Sequence, residues 1–160
     1  MPSHNLWAAP QATAVAAGHD RDGAPSARHV GEHPNAASSL HTTPSDFARF
    51  LAALLTAGDE PWRLGQASVS EMLRPQVWVD ARIAWGLGWG LAATDAGQSF
   101  WHWGDNPGYK CFAVALRDTR AGVVVMTNGD AGLAVCAWVV RRMLGSDHPA
   151  FAWLSRRDRR

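Results

Sequence analysis

From residue 85 onward the chain changes rhythm: apolar residues recur at every second position, in segments separated by turns too short to hold a crossover. A period of two sends alternate side chains to opposite faces of a strand. Strands joined by a few residues run antiparallel, because a parallel neighbour needs a connection of about a dozen residues or more. Trp85, Leu87, Trp89 and Leu91 fall on one face of the first strand, with Gly86, Gly88 and Gly90 on the other. Further strands are predicted near 98–104, 109–117 and 122–128, with Asn106-Pro107-Gly108 and residues 118–122 as turns. The expectation is a four-stranded antiparallel meander whose bare glycine face accepts a helix or backbone supplied from elsewhere.

Helices frame this meander. Thr43 is placed to cap a helix with Pro44 in its first position and Asp46 at the positive end of its dipole. Phe47, Phe50, Leu51 and Leu54 form its apolar stripe, and Gly58 is the predicted stop. A shorter helix is predicted over 69–73, ended by Pro75. The last helix is predicted over 131–144, capped by Asp130, with Leu133, Ala137, Val140 and Leu144 on one stripe and Gly145 just beyond. The fold class is therefore α+β, an antiparallel sheet with flanking helices. Residues 1–40 show no period and are expected as an extended surface segment, 41–145 as the folded part and 146–160 as a solvated basic tail.

At 47% hydrophobic and 18% charged residues, the chain has the composition of a globular domain. A formal net charge of +1 gives no ground for a nucleic-acid or anionic-membrane partner. The longest apolar run, 133–140, falls short of the roughly 18 residues of a membrane span. The first ten residues lack the basic flank and apolar core of a signal peptide, so none is expected in this chain, and no cell location is assigned. Cys111 and Cys136 fit no metal or redox spacing and are expected as buried free thiols. His29, His33 and His41 lack a carboxylate or cysteine at ligand spacing, and Pro34 disfavours a helix that would align the first two. No metal or cofactor is expected.

Chemistry points to Trp101-His102-Trp103-Gly104-Asp105-Asn106-Pro107-Gly108-Tyr109. In a strand, His102 and Gly104 share one face and Trp101 and Trp103 the other, so an imidazole lies beside a position without a side chain. That pattern suits a ligand lying along the strand edge close to the backbone. A lone H-x-G is more often a plain edge histidine beside a bend. Here it is followed by an apolar strand, a polar turn and Gly122-Val123-Val124-Val125-Met126-Thr127-Asn128-Gly129-Asp130.

Together these stretches resemble the third active-site motif and following hairpin of the serine beta-lactamase-like hydrolases, the penicillin-recognising family that includes class C beta-lactamases, transpeptidases and related esterases. The stretch 36–50 is similar to the family's glycine-rich turn and the helix behind it, although Ser38 and Ser39 stand where glycines are usual. Trp85-Gly86-Leu87-Gly88-Trp89 is similar to the strand before the third motif. The resemblance runs over about residues 10–145 and covers only the C-terminal portion of such an enzyme. It implies substrate binding by His102, Trp103, Gly104 and Asp105, with the Asp105 backbone N–H completing an oxyanion hole together with the N–H of a nucleophilic serine.

The family's S-x-x-K and Y-x-N motifs cannot be written in this sequence. Lys110 is the only lysine and has Pro107 three residues before it, and Tyr109 is the only tyrosine and is followed by Lys110 and Cys111. Without an activated nucleophile, covalent acyl transfer has no first step. The resemblance thus implies a fragment that supplies the binding strand for a small ester, amide or β-lactam substrate and is inactive alone, with self-association or a complementing N-terminal half as partner. Complete members are often periplasmic or secreted. The alternative is a non-catalytic ligand- or protein-binding module that keeps the strand-edge groove.

Overall fold

A computed structural model of the chain describes residues 15–26, 35–56, 58 and 63–157. Its centre is a six-stranded antiparallel sheet in sequence order: β1 (Val77–Trp78), β2 (Ile83–Trp85), β3 (Gly90–Thr94), β4 (Gly97–Asn106), β5 (Tyr109–Leu116) and β6 (Ala121–Thr127). Every pairing is antiparallel, as the short connections demand. The α+β class holds, with two strands more than expected.

One additional strand, β1, lies before the first predicted strand, and the other comes from a misread alternation. Residues 85–91 are not a continuous strand but the end of β2, a tight reversal and the start of β3. Gly88 takes φ +78°, and the Gly86 N–H donates to the Trp89 carbonyl at 2.8 Å. Trp85 and Leu91 consequently pack in different cores, and Leu87 is exposed. Two of the three glycines are packed from within the chain, since a Cβ at Gly86 would collide with the Met72 carbonyl and one at Gly90 with the Trp101 indole, whereas Gly88 faces open space.

The sheet divides two cores. On one face α1 (Pro44–Leu55) and α2 (Gln66–Met72) bury Leu51, Leu54 and Val69 against Trp89, Leu91, Phe100 and Ala115. On the other, α3 (Gly132–Leu144) and α4 (Pro149–Arg157) bury Cys136, Val140, Ala150 and Leu154 against Ile83, Trp101, Phe112 and Val114. Fully burying a large apolar side chain contributes about 1.5–3 kcal/mol. Phe100, Trp101 and Phe112, all at 0% exposure, therefore make β4 and β5 the best-anchored strands.

Thr43 caps α1 as expected, its Oγ1 accepting from the Asp46 N–H at 3.1 Å. The helix ends at Leu55 rather than at Gly58, because Thr56 turns both its N–H and its hydroxyl onto the Ala52 carbonyl. α2 begins at Gln66, three residues earlier than predicted. Asp130 does not cap α3: Ala131 holds the cap position without a side-chain bond, and Asp130 is committed elsewhere. Gly145 closes α3 at φ +81°, the left-handed stop that glycine favours. Residues 149–157, expected as a solvated tail, form α4, with Ala150 and Leu154 buried.

Candidate functional site

β4 is longer than its neighbour on one side. It pairs with β5 from Ser99 to Asn106, but with β3 only from Gly97 to Trp101. Beyond Trp101 the β3-facing edge is therefore open among the described residues. The Arg117 N–H donates to the Gln98 carbonyl at 3.0 Å, so even-numbered residues of β4 turn their backbone groups toward β5. Alternation then directs the N–H and C=O of Trp103 and Asp105 to the open side. Four residues named from the sequence occupy this half-paired segment.

His102 is exposed, on the α1 face of the sheet. Its ring stacks on Trp103 at 5.2 Å and meets the edges of Trp85 and Trp89 at 5.9 and 6.3 Å. Its Nδ1 lies 2.8 Å from the Trp103 carbonyl. A carbonyl only accepts, so Nδ1 carries the hydrogen and Nε2 is the acceptor of the neutral ring. Gly104, half-buried, follows on the same face, with the Cys111 sulfur where a Cβ would stand.

Trp103 and Asp105 send their side chains to the opposite face. Trp103 joins a cluster with Trp85, Trp101 and Trp153 at centroid separations of 6.0, 6.0 and 5.5 Å. Trp85 approaches rings from both faces of β4, which places its indole beside the open edge itself. The Asp105 carboxylate is held from two sides, by Lys110 Nζ at 3.0 Å and by the Arg157 guanidinium at 3.2 Å.

The turn after β4 is braced as heavily. Pro107 followed by Gly108 at φ +75° fits a type II turn. Asp130 accepts from the Gly108 N–H at 2.8 Å and from Lys110 Nζ at 2.7 Å, and the same ammonium donates to the Asn106 carbonyl at 2.8 Å. Burial alone would lower the Lys110 pKa, but the bonds to Asp130 and Asp105 outweigh it and the pKa is raised. The Lys110 bond holds Asp130 below the usual carboxylate range. Residues 15–26 seat against this turn: Tyr109 Oη donates to the Ala16 carbonyl at 2.8 Å, and the Asp130 N–H to the His19 carbonyl at 3.0 Å. A cavity of about 320 Å³ opens here, lined by Arg21, Asp105, Pro107, Lys110 and Asp130. It includes only one of the four residues named from the sequence.

Other reactive groups lie away from the edge. Ser99 and His148 form a buried pair at 2.9 Å. Ser99 Oγ donates to the Ala92 carbonyl at 2.9 Å, so it accepts from His148 Nε2–H, the reverse of what activates a serine. Burial pushes the His148 pKa down to about 4. Cys111 and Cys136 are free, and burial raises both thiol pKa values, Cys136 to about 11. Among the described residues no group of three or more His, Cys, Asp or Glu side chains is placed to hold a metal ion, and no helix is long and apolar enough to cross a membrane. His29 and His33 lie outside the described residues.

The family model described as Beta-lactamase matches residues 3–140. The chain belongs to the beta-lactamase family. Among solved structures it is similar to the D-alanine carboxypeptidase AmpC from Burkholderia cenocepacia, with TM-score 0.75 and 17% identity over 89% of this chain and 50% of that one. It is also similar to an octameric penicillin-binding protein homologue from Pyrococcus abyssi, with TM-score 0.66 and 16% identity over 91% of this chain and 34% of that one. A beta-lactamase/D-alanine carboxypeptidase from Pseudomonas syringae matches with TM-score 0.64 and 15% identity over 80% of this chain and 44% of that one. No curated protein matches by sequence. The chain thus spans half or less of the length of these beta-lactamase-fold structures.

Within the beta-lactamase fold, the sequence located the edge but not its supports. Lys110 carried a signal as the sole lysine, placed just after the turn. Asp130 was assigned to a helix cap. Arg157 had no local signal at all, since its contact with Asp105 spans 52 residues.

Proposed function

We propose that this chain supplies the substrate-binding strand of a beta-lactamase-family hydrolase acting on a small amide, ester or β-lactam, and that the nucleophile comes from outside these 160 residues. The open edge of β4 carries the proposal. The Trp103 N–H and the Asp105 N–H and C=O face a side without a neighbouring strand among the described residues, while the Trp103 carbonyl already accepts from His102 Nδ1–H, so the acyl portion of an extended substrate can pair with the remaining groups as an added strand would. The Asp105 N–H is the candidate oxyanion donor, and His102 Nε2 stands on the α1 face of the same edge. One such donor is half an oxyanion hole, and removing one donor typically costs about 10²–10³ in rate. D-alanine carboxypeptidases among the similar structures make a D-alanyl peptide a sensible first probe.

The missing nucleophile is supported by the state of the serines. Ser99 is turned the wrong way for activation, and Ser39 Oγ donates to the Asn35 carbonyl at 2.6 Å. The chain alone should therefore leave chromogenic cephalosporins and p-nitrophenyl esters unhydrolysed above background and remain unlabelled by fluorophosphonates. Stoichiometric labelling at any serine, Ser38, Ser39 or Ser99 included, would overturn this part of the proposal.

A further inference from the structure

The two residues whose backbone groups face the open edge are also the two whose side chains Arg157 holds. Its guanidinium carbon lies 4.9 Å from the centroid of the Trp103 ring, and its terminal nitrogen is 3.2 Å from Asp105 Oδ2. Arg157 is the last residue of α4, a helix anchored independently by Ala150 and Leu154 at 0% and 2% exposure. It therefore reaches β4 from a fixed base. Residues 102–106 need such a tie, because among the described residues only β5 pairs with them.

We infer that Arg157 is a positioning residue: it clamps Trp103 and Asp105 from behind the sheet and so fixes the direction of their N–H and C=O groups at the open edge. Lys110 completes the clamp from the other side of the Asp105 carboxylate, at 3.0 Å. With both oxygens engaged by cations on different elements, rotation of the side chain is restrained and the peptide on which it is built is restrained with it. An exposed arginine ion pair adds little to global stability. Its effect is instead on aim, and a misplacement of about 1 Å in a positioned group can cost on the order of a hundredfold in rate.

The inference rests on the proposed binding role of this edge, but its test does not require a ligand. In ¹⁵N-labelled full-length chain, the order parameters of Trp103 and Asp105 should match rigid backbone, about 0.85, and fall below about 0.6 in Arg157→Gln. Gly104 and Cys111, a bonded pair within the β4–β5 ladder, should be unchanged, as should the melting temperature. Arg157→Lys, which keeps a cation over the indole, should restore most of the lost order. Wild-type order at both positions in Arg157→Gln, or a loss spread evenly over the whole sheet, would overturn the clamp. With N-acetyl-D-alanyl-D-alanine as probe, Arg157→Gln should weaken binding roughly tenfold, the scale of one charge-assisted hydrogen bond. Absence of probe binding to the wild type while the order parameters behave as stated would reject the proposed function and leave the clamp standing.

Discussion

His148 is neutral because its neighbours leave no place for a second proton. Ser99 Oγ accepts at Nε2–H, and the Ala150 N–H donates to Nδ1 at 3.3 Å, so a proton on Nδ1 would face another donor. Burial and the nearby Arg82 charge act in the same direction and hold the pKa at about 4, against an ordinary 6.5. The unfolded chain takes up its proton first as pH falls, so the stabilisation is whole above pH 6.5 and is lost progressively down to about pH 4. At about 1.4 kcal/mol per unit of pKa difference, His148 should account for a loss on the order of 2 kcal/mol between pH 7 and pH 5. Urea midpoints at the two pH values test this: the wild type should lose more than His148→Gln, and equal losses would refute it. At this scale the sequence distinguished poorly between histidines. His102 stood out because strand alternation and a neighbouring glycine form a local pattern. His148 had only a proline beside it, and its partner Ser99 lies 49 residues away.

At the scale of elements, the misreadings have separate physical causes. Residues 85–91 alternate correctly for a strand, but a period of two is equally consistent with a two-stranded reversal when a glycine supplies positive φ in the middle, as Gly88 does. The Asp130 position suits a helix cap, yet the Lys110 ammonium is a stronger partner for a carboxylate than a backbone N–H. β6 was legible because its apolar run is bounded by turns, and its outer side carries no partner strand among the described residues. Its free N–H and C=O groups are a template for a further strand. At micromolar concentration the chain should therefore sediment as a dimer or larger species. A monomer whose amides at 121–127 all exchange slowly would show the edge to be covered from within.

For the molecule as a whole, the sheet has two differently equipped faces. The α3–α4 layer braces β4 from behind, through Arg157, Trp153 and the buried His148–Ser99 pair, while the α1 face presents His102 beside the edge left unpaired among the described residues. Both class and family were legible, because antiparallel connectivity follows from short turns and the H-x-G hairpin has a characteristic order. The supporting layer was not, because its contacts join residues that no periodicity relates. The central claim is that the outer edge of β4 receives substrate, and a titration of ¹⁵N-labelled chain with N-acetyl-D-alanyl-D-alanine tests it most directly. Saturable shifts should appear at the amides of Trp103 and Asp105 and at the His102 ring, with smaller changes in the Trp85 indole. Shifts confined to the cavity at Arg21, Lys110 and Asp130, or none at all, would contradict the account.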